Sequence, residues 1–120
     1  MTHRLDPLLR PRSLALVGAS PRPATYGRRM IAACLEAGFE GDVFLVNPKY
    51  DEIDGRPCYP SLRALPAPAE HAVLMVANAR LEAVLAEAIE TGARAATIFA
   101  SCYLDDGRAP PLVERLRSLA

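Results

Sequence analysis

The sequence predicts an α/β fold in which a doubly wound parallel sheet lies between two layers of helices. Three observations predict it. Short apolar runs alternate along the chain with stretches in which apolar residues recur at helical spacing. The apolar runs show no polar–apolar alternation, which is typical of parallel strands buried on both faces. Strands that alternate with helices favour a parallel sheet, and right-handed crossovers limit its topology to a Rossmann-like arrangement.

The first half of the chain is predicted to hold two strands and one helix. The strands are the apolar runs 13–18 and 42–47, the second of which is rich in Val and Phe. Between them, residues 26–37 place apolar side chains at helical spacing, and Gly38 is suited to end that helix. We expect residues 49–60 to be irregular, because a glycine and a proline interrupt them.

The second half is predicted to hold a helical turn, two strands and two helices. Asn78 is a candidate N-cap of the first of these helices, and Gly92 is placed to end it. In chain order, the turn, strand, helix, strand and helix are predicted at 61–65, 72–77, 80–91, 95–100 and 112–119.

The length of 120 residues suits one domain, so we expect a single domain over 1–120. A doubly wound sheet normally continues with a strand after such a final helix. We therefore expect the sheet to be truncated before its last strand, and the chain to be the N-terminal part of a longer protein.

The composition argues against several classes of partner. Lys plus Arg and Asp plus Glu number 14 each, so no basic excess points to nucleic acid. No apolar run reaches the ~20 residues that span a bilayer, and no secretory signal opens the chain. The three cysteines lack CxxC spacing, which favours free thiols and a cytoplasmic location. No spacing typical of a metal site or of a catalytic triad is present.

Ligands of an open parallel sheet bind beyond the carboxyl ends of its strands. The strand predictions bring four segments to this crevice: 18–27, 47–50, 77–79 and 100–103. The first segment has the parts of a phosphate site, with hydroxyls, an arginine and the opening amides of a helix at about 25–28. A glycine within that helix start would let a diphosphate approach the backbone closely. The candidate ligand-binding residues of this segment are Gly18, Ser20, Arg22, Thr25, Tyr26 and Gly27.

The spacing differs from the GxGxxG motif of NAD-binding proteins. Where those proteins carry an acidic residue that holds a ribose diol, this chain has Asn47 and, after a proline, Lys49. A lysine suits a phosphate better than a diol, although it is equally compatible with a solvated surface position. Asn78 and Ser101 follow the third and fourth predicted strands, and each is a candidate either for a ligand contact or for a cap.

Four stretches of the chain together resemble a known family. They are LLRPRSLALVGASPRPATYGRRM, FLVNPKYDEIDGRPCYPSL, AVLMVANA and ATIFAS. They are similar to the coenzyme A-binding domain that opens NDP-forming acyl-CoA synthetases, with the α subunit of succinyl-CoA synthetase as a more distant relative. The resemblance extends from about Leu8 to Ser101. One departure is Ala24, where relatives often carry glycine.

The resemblance implies a binding role. It implies that residues 20–27 hold the phosphates of coenzyme A, that Lys49 adds a basic contact, and that Ala77, Asn78 and residues 99–101 line the adenosine side. In the family, a phosphorylated histidine of the following ligase domain and an ATP-grasp domain carry out the chemistry. Neither His3 nor His71 matches that histidine. We therefore expect a module that is not catalytic alone, that has those domains as partners in cis or in trans, and that meets ATP or ADP only through them.

Two alternatives remain open at this point: an NAD(P)-binding oxidoreductase domain, and a non-binding interaction domain with the same fold.

Overall fold

The computed structural model describes residues 11–99 and 111–120. This part of the chain forms one six-stranded sheet, three α-helices and a 3₁₀ turn at Leu62–Ala64. The strands are β1 (Ser13–Val17), β2 (Asp42–Val46), β3 (Glu52–Ile53), β4 (Arg56–Tyr59), β5 (His71–Leu74) and β6 (Ala95–Ile98). The helices are α1 (Tyr26–Glu36), α2 (Asn78–Glu90) and α3 (Leu112–Leu119).

The strand order is β3-β4-β2-β1-β5-β6, and every pairing is parallel except that of β3 with β4. The chain leaves β1 for β2 on one side, and later returns past β1 to β5 on the other. The strand order therefore reverses between β1 and β5, which is the position where doubly wound sheets bind ligands. The predicted α/β, Rossmann-like fold is confirmed.

Alternate residues of the central strands enter two separate cores. Ala15 and Val17 of β1 pack with α2 and α3 through Leu81, Leu85 and Leu112. Leu16 points to the opposite face and packs with Ile31 of α1 and with other side chains of that face. The lack of polar alternation in the sequence has this cause, since both faces of the sheet are covered.

The prediction that residues 49–60 are irregular is wrong for residues 52–59. Residues 52–59 form the hairpin of β3 and β4, and β4 extends the sheet beside β2. Ile53 pairs with Arg56 across a two-residue loop, in which Asp54 and Gly55 have φ of 52° and 79°. Positive φ at both positions is the pattern of a type I′ turn, for which Asp-Gly is a preferred sequence.

The remaining elements lie close to their predicted positions, with two differences. Helices α1 and α3 and the 3₁₀ turn are confirmed, and Gly38 and Gly92 follow α1 and α2 with φ of 69° and 96°. The third predicted strand is shorter than expected, because β5 ends at Leu74. The prediction of Asn78 as an N-cap is wrong: Ala77 holds that position without a side-chain hydrogen bond, and Asn78 is the first residue of α2.

Candidate functional site

Two clefts open at the carboxyl edge of the sheet, one on each face. The loop cleft, of about 380 Å³, lies between the β1–α1 loop and the segment after β2. The inner cleft, of about 260 Å³, lies between that same segment, the 3₁₀ turn and the start of α2. The residues that line both clefts are Gly18, Asn47, Lys49 and Met75. A single ligand that crosses the sheet edge can therefore occupy both.

Two glycines allow β1, β5 and α1 to meet closely at this edge. Gly18 has a φ of 97°, and a Cβ there would lie 2.2 Å from the carbonyl oxygen of Met75. The predicted sharp turn at Gly18 is thus confirmed. A Cβ on Gly27 would lie 2.1 Å from the carbonyl oxygen of Gly18 and 2.9 Å from the amide nitrogen of Ser20. The missing side chain of Gly27 thus lets α1 pack directly against the loop, and the expectation that Gly27 also lets a diphosphate approach the backbone stays a prediction.

Local hydrogen bonds set the shape of the β1–α1 loop. Thr25 is the N-cap of α1: its hydroxyl accepts from the Arg28 amide at 3.1 Å and donates to the Arg22 carbonyl at 2.8 Å. The buried Ser20 hydroxyl accepts from the Arg22 amide at 3.0 Å. Ala24 lies between these residues with a φ of 64°, in the left-handed region.

The start of α1 keeps two amides available for a ligand. The Arg28 amide, which the sequence suggested for anion binding, is already used by Thr25. The amides of Tyr26 and Gly27 donate no hydrogen bond within the described chain. Unpaired amides and the helix dipole together favour an anion at this position.

Asn47 holds the two neighbouring loops together. Its Nδ2 donates to the carbonyl of Ala19 at 2.9 Å, and its Oδ1 accepts from the amide of Lys49 at 2.9 Å. Both polar atoms of the side chain are therefore engaged within the protein, and Asn47 positions the segment that carries Lys49. The Lys49 side chain is exposed and lines both clefts, and it forms no ion pair with described residues.

The remaining predicted site residues do not all line a cleft. Ala77 lines the inner cleft, whereas Asn78 lines neither cleft. The exposed ring of Tyr26 lies beside that of Phe99, with 6.2 Å between their centroids. Ser101 lies outside the described residues, as does the rest of the predicted segment 100–103.

Two charged residues of the inner cleft were not predicted from the sequence. Arg80, in the first turn of α2, and Glu87, two turns further on, both line it. The Glu87 Oε1 accepts from the amides of Leu62 and Arg63, at 2.7 and 3.3 Å, and so caps the 3₁₀ turn. A cation in the first turn of a helix that follows a strand is a usable signal for Arg80, but the contact of Glu87 with residues 62–63 is visible only in the fold.

Other reactive residue types lie away from the clefts or are inert. Burial raises the pKa of the Cys34 and Cys58 thiols, which keeps them protonated and poorly nucleophilic. His71 is buried at the start of β5, and its Nε2 lies 2.8 Å from the Thr97 hydroxyl. Within 11–99 and 111–120, no three His, Cys, Asp or Glu side chains converge to hold a metal, and no helix is long and apolar enough to cross a bilayer.

A family model described as the CoA binding domain matches residues 12–118, which is nearly the whole chain. The chain belongs to the CoA-binding domain family. The predicted resemblance is thereby confirmed, and this CoA-binding domain is related to ADP-forming acyl-CoA synthetases.

Individual relatives agree with the family. The ADP-forming acetate–CoA ligase II of Archaeoglobus fulgidus is 31% identical over 111 residues, which are 92% of this chain and 16% of that enzyme. A trans-feruloyl-CoA synthase from an unknown prokaryotic organism is 31% identical over 105 residues, 88% of this chain and 15% of that protein. Among solved structures, the apo dinucleotide-forming acetyl-coenzyme A synthetase 1 of Candidatus Korarchaeum cryptofilum matches with a TM-score of 0.82 and 30% identity, over 96% of this chain and 26% of that one.

This CoA-binding domain thus spans about a sixth of the length of these two curated relatives. Both relatives are much longer proteins, and the present chain aligns with only this part of each. The residues around the loop cleft favour an anion: Tyr26 and Gly27, whose amides donate no hydrogen bond within the described chain, line it together with the exposed Arg22 and Lys49.

Proposed function

We propose that this domain holds the phosphates and the nucleotide end of coenzyme A across the carboxyl edge of its sheet. The diphosphate would lie in the loop cleft against the amides of Tyr26 and Gly27, and the nucleotide would extend into the inner cleft. The single observation that supports this best is the pair of unused amides at the start of α1, which belong to two residues that line a cleft beside the switch in strand order.

The charges around the loop cleft support the same placement. Arg22 and Lys49 line it from opposite loops, and neither forms an ion pair with described residues. Arg28, by contrast, pairs with Asp54 of the β3–β4 turn and is not available. Two free cations and two free amides suit a diphosphate, since hydrogen bonds from charged donors to phosphate are about twice as strong as neutral ones.

The role in the whole protein follows from this placement. We propose that the domain is the CoA-binding module of an NDP-forming acyl-CoA synthetase. Acyl-phosphate and nucleotide chemistry would then belong to ligase and ATP-grasp domains, and the module alone would turn over no substrate. We further propose that it works in the cytoplasm, where its free thiols Cys34 and Cys58 persist.

Calorimetry with coenzyme A, ATP and NAD tests the proposed ligand. We expect coenzyme A to bind in the micromolar range and NAD to give no measurable heat, because Asn47 and Lys49 stand where NAD-binding proteins carry an acid for the ribose diol. Tighter binding of NAD than of coenzyme A would overturn the proposal and favour an oxidoreductase domain.

A Lys49→Gln variant tests the site. Loss of one charge-assisted contact to phosphate costs about 1.5–3 kcal/mol, which corresponds to a dissociation constant for coenzyme A raised roughly tenfold or more. Arg94→Gln is the matched control, because Arg94 is an exposed arginine just before β6, at the opposite edge of the sheet. Equal affinities of Lys49→Gln and Arg94→Gln would contradict the site.

A further inference from the structure

Arg80 lies where the proposed nucleotide would end. It is the third residue of α2, and it lines the inner cleft together with Lys49, which reaches the same cleft from the segment after β2. The two residues stand on different walls, since one belongs to a helix after β5 and the other to a loop after β2. Both are exposed, and neither forms an ion pair with described residues.

Glu87, the acidic residue that lines this cleft, does not neutralise Arg80 or Lys49. The Glu87 carboxylate accepts from the amides of Leu62 and Arg63, and it lies 3.5 Å from a guanidinium nitrogen of Arg63. Its charge is thus engaged with the 3₁₀ turn on the far wall. The inner cleft therefore presents two cations without an ion pair to described residues: Lys49, which it shares with the loop cleft, and Arg80, which lines the inner cleft and not the loop cleft.

We infer that Arg80, together with Lys49, binds a second phosphate of the ligand, the monoester on the ribose, and thereby selects coenzyme A over dephospho-CoA. This inference rests on the proposed function. A nucleotide with two separate anionic groups suits this arrangement, because Arg22 lines only the loop cleft, Arg80 lines only the inner cleft, and Lys49 lines both. Coenzyme A has a diphosphate and a ribose phosphate, whereas ADP, NAD and dephospho-CoA lack the second group.

The chemistry of arginine suits this role. A guanidinium presents several donors in a planar fork that matches phosphate oxygens, and it stays charged at every physiological pH. Lys49 adds a second, more mobile charge. Arg80 is therefore expected to act as a specificity-determining residue, which distinguishes ligands by one phosphate.

The test compares two ligands on three proteins by calorimetry. The unmodified chain should bind coenzyme A at least tenfold more tightly than dephospho-CoA. In Arg80→Gln, the dissociation constant for coenzyme A should rise roughly tenfold, while that for dephospho-CoA stays within about twofold, because the lost contact is to a group that only coenzyme A carries. Arg94→Gln, an exposed arginine outside both clefts, should leave both constants unchanged.

Each contrary outcome has a distinct meaning. An equal loss for both ligands in Arg80→Gln would overturn the inference and show that Arg80 contacts another part of the nucleotide, such as the base. No loss for either ligand would overturn it as well, while tight binding by the unmodified chain would leave the proposed function intact. If the unmodified chain bound neither coenzyme A nor dephospho-CoA, the proposed function itself would fail, and this inference with it.

Discussion

Gly27 shows how one missing side chain shapes the proposed phosphate site. It is buried in the first turn of α1, and the space that a Cβ would need is taken by the backbone of Gly18 and Ser20. These backbone atoms, at the point where the chain leaves β1, cannot move aside as the end of a flexible side chain could. The glycine therefore fixes the distance between the helix start, which carries the free amides, and the loop that faces them.

A Gly27→Ala variant should lose both stability and ligand affinity. The added methyl group must push α1 away from the loop, and overpacking of this kind costs about 1–3 kcal/mol. The displaced amides should also weaken coenzyme A binding severalfold. Urea denaturation and calorimetry on the same samples measure the two effects.

Gly38→Ala is the matched control for that experiment. Gly38 follows the other end of α1 with a φ of 69°, and no atom lies within 4 Å of a Cβ built there. Its substitution should cost about 1–2 kcal/mol of backbone strain and leave ligand affinity unchanged. If Gly38→Ala weakened binding as much as Gly27→Ala, the close packing of α1 against the loop at Gly27 would not be what positions the amides.

At the scale of elements, the β1–α1 loop contains a strained residue, because the sequence has an alanine where the backbone is left-handed. Ala24 has a φ of 64°, a region that side chains with a Cβ enter at a cost. It lies between Arg22, whose carbonyl and amide are both hydrogen-bonded, and Thr25, the N-cap. These hydrogen bonds hold the loop in a shape that glycine would adopt more easily.

An Ala24→Gly variant should therefore raise the free energy of unfolding. Relief of about 1–2 kcal/mol of left-handed strain is partly offset by about 0.5–1 kcal/mol of added chain entropy, which leaves a gain of up to about 1.5 kcal/mol. The same change at Ala83, an exposed position within α2, should instead lower the stability by about 0.5–1 kcal/mol. Urea denaturation of both variants gives the sign, and a destabilised Ala24→Gly would show that the strain is absent in solution.

The β3–β4 hairpin shows that some elements cannot be predicted from their own residues alone. Gly55 and Pro57 predict irregular structure within residues 49–60, although Asp54-Gly55 is itself a strong signal for a two-residue hairpin loop. The strands it joins have only two and four residues, too short to show a period. They exist because β4 pairs with β2, a contact that sequence spacing does not reveal.

At the scale of the whole molecule, the sheet and the residues at its carboxyl edge were predictable, and the details of the candidate site were not. Four buried runs in alternation with helices were enough to place Gly18, Lys49 and Ala77 at one edge. The roles of Asn47 and Glu87 depend on which loops meet in the folded chain, because Asn47 binds the carbonyl of Ala19, 28 residues away, and Glu87 binds the amide of Leu62, 25 residues away. Such pairings leave no local signal.

That shared edge leads to a prediction about overall stability. Coenzyme A bound as proposed would contact the exits of β1, β2 and β5 together, so it should stabilise the fold as a unit. At a free concentration 100 times the dissociation constant, a ligand that binds only the folded state adds about 2.7 kcal/mol. For a domain of this size, that raises Tm by roughly 10 °C.

Thermal unfolding at one fixed concentration of coenzyme A, with NAD at the same concentration as the control, tests this prediction. NAD should leave Tm unchanged, and Lys49→Gln in coenzyme A should show about half the rise of the unmodified chain, because a tenfold weaker constant leaves a stabilisation of about 1.4 kcal/mol. A rise with NAD instead would favour an oxidoreductase domain. If neither ligand raised Tm, the result would favour an interaction domain that has this fold but binds no nucleotide at its carboxyl edge.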